Sequence, residues 1–259
     1  MAANTPSTQV PSSILLMTEL GRGLLELGSY AISIPFLQFV PKGDGHPVLV
    51  LPGMLTTDHT TIPLRFFLNT RNYSAYPWDL GPNLLAFKKI EQKLLELIEQ
   101  LYKKYKRKIS LIGWSAGGIF ARAMAHKVPH YIRQVITLGS PFNGILRKSH
   151  VEAIGEWLSG QKAEEIEQLI IEQASAPPPV PSTSIYSKMD GIVSWQACQE
   201  TQESQINENV EVSASHLGMG HNPQVLICIA DRLAQKEEDW KPFQHSSVGK
   251  LFYTFPWQT

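Results

Sequence analysis

The chain has 259 residues, 43% of them hydrophobic, enough to bury one sizeable core as a single domain. Its 23 Lys and Arg balance 23 Asp and Glu, which leaves no electrostatic case for a nucleic-acid partner. Two cysteines, Cys198 and Cys228, make neither a disulfide framework nor a metal cluster, and a reducing compartment is the simpler reading.

In chain order, residues 1–12 contain no basic residue and no cleavable pattern after an apolar core, and they read as a disordered start and not as a signal peptide. Residues 13–40 are apolar but carry Glu19, Arg22 and Glu26, which with Ser29 and Ser33 fall on one helical stripe. That pattern argues against an isolated membrane span and predicts an amphipathic helix packed on the domain. The stripe lacks the Lys/Arg-rich face of a membrane-surface helix, so peripheral membrane contact is a secondary expectation for a protein otherwise read as cytoplasmic.

His46 to Leu51 reads as a short buried strand ending at Pro52-Gly53. Thr56 to Arg71 follows as a helix capped by Thr57 or Asp58, and Tyr73 to Trp78 as a strand. Leu84 to Lys106 has the clearest helical spacing, in Leu84, Leu85, Phe87, Ile90, Leu94, Leu97, Ile98 and Leu101. Further strands are expected at Ile109 to Gly113, Gln134 to Leu138, Thr183 to Ser187 and Asn209 to Ser213. A last helix, Gln224 to Gln235, starts at Asn222 as cap and Pro223. Strands alternating with helices predict a largely parallel α/β sheet, whose ligands sit at the carboxyl ends of the strands. Residues 141–181 break the alternation. Two short amphipathic helices, Val151 to Leu158 and Lys162 to Gln173, read there either as a cap insertion or as ordinary crossover helices.

Gly113-Trp114-Ser115-Ala116-Gly117, between a strand and a small-residue helix, has the G-x-S-x-G pattern of a nucleophile elbow. The bend leaves little room beside the serine, so Gly113 and Gly117 must be nearly free of side chain. A serine hydroxyl needs a histidine base, and the histidine needs an acid that fixes its tautomer. Asp190, just past a strand and before a glycine, is favoured as the acid over Glu200 and Glu203, which lie in a polar stretch more like a solvated helix. His216, just past the next strand, is favoured as the base over His221, which adjoins the cap of the last helix. The backbone N–H groups of Ala116 and Met54 are the expected oxyanion donors, Met54 following the turn at Gly53. Leu55, Trp78, Trp114 and Phe142 are the expected pocket residues. No histidine pair has the H-E-x-x-H spacing of a zinc site, and neither metal nor cofactor is expected.

The stretches VLVLPGM, LIGWSAGG, TLGSPFNG and the pair MDGIV with SHLGMGHNP resemble the α/β-hydrolase superfamily, in particular its lipase- and esterase-like branch. The resemblance covers roughly Pro47 to Ala234, in the chain order Ser, Asp, His. It implies a triad of Ser115, Asp190 and His216, in agreement with the residues read one by one. Pro52-Gly53 stands where many lipases have His-Gly, and Trp114 where many have His; neither removes a backbone donor. The implied activity is cleavage of a carboxylic ester with a hydrophobic acyl part, from a small molecule or a lipid. An acyltransferase or thioesterase would use the same triad.

Overall fold

A computed structural model describes residues 10–84, 87–143, 174–202 and 204–244. Six parallel strands form one sheet: β1 (Pro47–Leu51), β2 (Ser74–Pro77), β3 (Ile109–Trp114), β4 (Ile132–Leu138), β5 (Ser182–Tyr186) and β6 (Asn207–Glu211). Their spatial order is β2-β1-β3-β4-β5-β6. The helices are α1 (Ser13–Leu37), α2 (Ile62–Thr70), α3 (Phe87–Tyr105), α4 (Ala116–Lys127) and α5 (Pro223–Ala234).

The central strands are buried along their whole length, as parallel strands covered on both faces must be. Alternation along each strand sorts the core into two layers. Val48, Val50, Ile112 and Ile136 pack with Leu64, Phe67 and Leu68 of α2 and with Val225 and Leu226 of α5. Leu49, Leu51, Ile109 and Leu111 pack on the other side with Leu94, Ile98 and Leu101 of α3 and with Phe120 and Met124 of α4. Ordering along the sheet brings the carboxyl ends of β1, β3, β5 and β6 to one edge, where the loops carrying the site emerge.

Several boundaries differ from the sequence reading for local reasons. The segment expected as one helix from Thr56 is split into a 3-10 turn, Asp58–Thr61, and α2. Pro63 lies at the start of α2, where its missing N–H costs nothing. Thr57 caps the 3-10 turn by accepting from His59 N–H, while the Asp58 carboxylate accepts from the N–H groups of Trp78 and Asp79, both at 3.0 Å. Asn222 caps α5 by accepting from Gln224 N–H at 2.9 Å.

Two expectations are corrected. Trp78 is not a pocket residue: its ring is fully buried against Phe120 under the sheet, and its Nε1–H donates to Gly81 O at 2.9 Å. Glu200 is not solvated; its carboxylate forms a buried ion pair with Arg122 of α4. The helices expected at 151–158 and 162–173, and Glu203, lie outside the described residues, as do residues 1–9.

The largest departure concerns α1. An amphipathic helix on a globular domain ordinarily turns its polar stripe to water. Here Glu19, Gly23, Tyr30, Ser33 and Leu37 face inward, while Ile14, Met17, Leu20, Leu24, Leu25 and Ile32 face out. Met17 is 84% exposed and Ile32 76%. No helix among the described residues is long and apolar enough to cross a membrane.

Candidate active site

Ser115 sits between the end of β3 and the start of α4 with φ 52° and ψ −123°, a conformation that L-residues adopt only under strain. Its N–H donates to Leu138 O at 2.8 Å, which ties the bend to the neighbouring strand. A Cβ on Gly113 would lie 2.3 Å from Gly118 Cα, and one on Gly117 would lie 2.3 Å from Leu51 O. Both glycines are therefore required by contact with backbone that has nowhere to move.

Asp190 is the fourth residue after β5. Its Oδ1 accepts from the N–H groups of Ile192 (2.8 Å) and Val193 (2.7 Å), which leaves Oδ2 aimed at His216. His216, in the loop after β6, has its Nδ1 2.6 Å from that Oδ2. Asp190 thus holds Nδ1, and Nε2 is the free ring nitrogen. Burial pulls the His216 pKa down, but the Asp190 charge and hydrogen bond, with the charge of Glu19, outweigh it and hold the pKa above its ordinary value. Trp114 donates its Nε1–H to His216 O at 3.1 Å, so the residue before the serine also fixes the histidine loop.

A cavity of about 420 Å³ opens over these groups, lined by Ser115, His216, Trp114, Met54 and Gly53, with Leu27 of α1, Ile192 and Leu217 on its walls. The structure therefore brings Ser115, His216, Met54 and Trp114 to one cavity, with Asp190 directly behind His216. Ala116 opens α4, where N–H groups have no partner in the preceding turn. His221, the alternative base, also lines the cavity, but its Nε2 lies 3.0 Å from Gly23 O, so its proton is committed to α1. Leu55 and Phe142 are corrected as pocket residues. Leu55 is 39% exposed and outside the cavity, and Phe142 is buried beneath the Arg122 guanidinium, 3.6 Å from its ring centroid.

The sequence reading missed Glu19, Arg22 and Glu26 of α1 as neighbours of the site. Glu19 accepts from the N–H groups of Gly191 and Leu217, and Glu26 from that of Ser215. The signal present in the chain was that Glu19, Arg22 and Glu26 share one stripe of an otherwise apolar helix, which marks the stripe but not the face it packs on.

The sheet order and the bend at Ser115 are those of the α/β-hydrolase fold. A family model described as Palmitoyl protein thioesterase matches residues 71–189, which include the elbow and stop one residue before Asp190. The serine hydrolase BPHL of Homo sapiens is 33% identical over 117 residues, and that of Mus musculus 29% identical over 122. The matches cover 40% and 42% of this chain and 39% and 41% of those proteins, so the chain spans about two fifths of the length of these relatives. The crystal structure of Aspergillus fumigatus lipase B superposes with a TM-score of 0.57 at 19% identity, over 74% of this chain and 53% of that one. The chain has the α/β-hydrolase fold, and the family model and the serine hydrolases it resembles both point to that superfamily.

Proposed function

We propose that this protein is a serine hydrolase acting on esters or thioesters with a hydrophobic acyl part. The observation that carries this reading is the Asp190–His216 pair sharing one cavity with a serine held at a strained elbow. Ser115 Oγ attacks the acyl carbonyl as His216 Nε2 takes its proton, and Asp190 stabilises the imidazolium. The N–H groups of Ala116 and Met54 stabilise the oxyanion. His216 returns the proton to the leaving alcohol or thiol, and water activated by the same nitrogen then releases the acid and frees Ser115.

The apolar walls at Leu27, Ile192 and Leu217 support the acyl preference. The thioester alternative is supported by the family match over residues 71–189. Leu27 belongs to α1, so the exposed apolar face of that helix runs up to the cavity mouth, which supports a lipid surface as the source of substrate.

Turnover of paired p-nitrophenyl esters and acyl-coenzyme A thioesters of rising chain length, wild type beside Ser115→Ala, tests the reading. Serine-dependent turnover rising with acyl length is the expected result, and the ratio of the two series assigns ester or thioester. Turnover retained in Ser115→Ala sinks it.

A further inference from the structure

Asp190 and His216 sit on two separate loops, after β5 and after β6. The start of the two loops is tied by Val212 N–H to Tyr186 O (2.9 Å) and Ala214 N–H to Ser187 Oγ (3.2 Å), but beyond Ala214 no strand pairing holds either backbone among the described residues, and the pair must keep a fixed separation. The backbone N–H groups beside both residues end on carboxylates of α1, some 170 to 200 positions earlier in the chain. Gly191 N–H donates to Glu19 Oε2 at 3.0 Å, and Leu217 N–H to Glu19 Oε1 at 2.9 Å. One carboxylate thus bridges the residue after the acid and the residue after the base.

Two neighbours complete the arrangement. Arg22 Nη2 donates to Glu19 Oε2 at 2.6 Å, and Arg22 Nη1 to Met189 O at 2.6 Å, so the Asp190 loop is held on both sides of the acid. Glu26 Oε1 accepts from Ser215 N–H at 2.7 Å, and Glu26 Oε2 from Asn222 Nδ2 at 2.9 Å. Helix and loops are in close contact here. A Cβ on Gly191 would lie 2.4 Å from Leu15 O, and one on Gly218 2.0 Å from Glu26 Oε2. Glu19 is 3% exposed, and a carboxylate buried to that degree is retained only where its acceptors are filled.

We propose that Glu19, seconded by Glu26, is a positioning residue that sets the distance between the Asp190 and His216 loops, so that the first helix of the chain is part of the catalytic apparatus. This rests on the reading of Ser115, Asp190 and His216 as a triad. Glu19 acts through the two loops and touches no substrate. Its charge, with that of Asp190, favours the protonated imidazole of His216. Arg22 opposes it, Glu26 and His221 flank the same loop, and His59 stands across the cavity.

The test is Glu19→Gln in the full chain. The amide keeps the shape of the carboxylate, but its NH₂ faces one of two backbone N–H donors that have no other acceptor. The expected result is a kcat lower by about tenfold to a hundredfold, as a misplaced catalytic pair costs. KM changes by less than about twofold, because no substrate contact is lost. The acid limb of the pH–rate profile moves to lower pH, because one of the charges favouring protonated His216 is gone. The far-downfield Nδ1–H proton resonance of His216 shifts or broadens, a readout independent of substrate.

A folded Glu19→Gln protein with unchanged kcat, acid limb and resonance overturns the inference, as does one that melts earlier but works normally. If Glu19→Gln does not fold, Glu26→Gln decides by the same readouts, with a smaller expected loss since Glu26 holds only the histidine loop. Ser115→Ala is run in parallel. Wild-type protein without serine-dependent turnover removes the triad reading and this inference with it; serine-dependent turnover unaffected by Glu19 removes the inference alone.

Discussion

β3 runs between two Asp–His–Ser sets. At its amino end, His46 has Nδ1 2.5 Å from Asp44 Oδ1 and Nε2 2.8 Å from Ser110 Oγ. At its carboxyl end stand Asp190, His216 and Ser115. The first set has complete hydrogen-bond connectivity, yet it is built for structure. Ser110 is fully buried within β3, away from any cavity over the sheet's carboxyl edge, and Asp44 is shared with Arg107 and Arg133. Burial, then the Arg133 charge, drives the His46 pKa down to about 4, against the pull of Asp44. In the second set the serine is at a strained bend under a cavity, and the balance of burial and carboxylate charge leaves the histidine above its ordinary value. Hydrogen-bond connectivity is complete in the first set; backbone strain, access to the cavity and the direction of the histidine shift are what set the second apart.

The two serines give the largest contrast. Ser115→Ala is expected to lower kcat by at least about a thousandfold, with stability within ~0.5 kcal/mol of wild type. Ser110→Ala is expected to leave kcat unchanged and to cost about 1–2 kcal/mol by orphaning buried His46 Nε2. Ester turnover and urea titration of both variants read this, and a Ser110→Ala enzyme as inactive as Ser115→Ala would break the comparison.

The two acids should separate in the same way. Asp190→Asn is expected to lower kcat by about 10³ to 10⁴ by presenting the wrong partner to His216 Nδ1. Asp44→Asn should lower the melting temperature and spare kcat. Steady-state kinetics beside thermal melts check both.

The two histidines are shifted in opposite directions, and activity and stability read them separately. The proposed mechanism needs neutral His216, so the acid limb of activity should lie above pH ~6.5, the ordinary histidine value. For stability the sign runs through His46. Between about 6.5 and about 4 the unfolded chain takes up a proton that folded His46 refuses, so stability falls as pH falls across that window, by up to about 3 kcal/mol. Urea titrations at pH 7 and pH 4.5 measure it, and His46→Gln should flatten the slope.

The smallest effect expected is at the surface. Leu20→Ser with Leu24→Ser should weaken co-sedimentation with neutral phosphatidylcholine vesicles and leave turnover of a soluble short-chain ester unchanged. Arg22, the sole Lys or Arg of α1, is engaged with Glu19 and Met189, so binding should be insensitive to salt. Retained vesicle binding would remove the lipid-surface proposal.

Much of this molecule was legible in the chain because its signals are local. The strand period at Ile109 to Gly113, the helical spacing from Leu94 to Leu101 and the Asn222-Pro223 cap depend on neighbours within a few residues, and the structure has those elements. The elbow was legible for the same reason: two glycines flanking Ser115 are a demand of one turn. Trp78, Leu55 and Phe142 were misread because which wall a side chain lines depends on crossovers between strands, and no spacing encodes that. Glu200 was misread because its partner, Arg122, is 78 positions away.

By itself, then, the sequence determined the α/β alternation, the serine at its bend, and the positions of Asp190 and His216 just past two strands, since each follows from contacts along the chain. Only the tertiary structure decided which way α1 faces. Its carboxylates find their donors on loops near Asp190 and His216, and satisfying buried Glu19 and half-buried Glu26 there outweighs hiding the leucines on its other side, because an unpaired buried carboxylate costs far more than an exposed leucine.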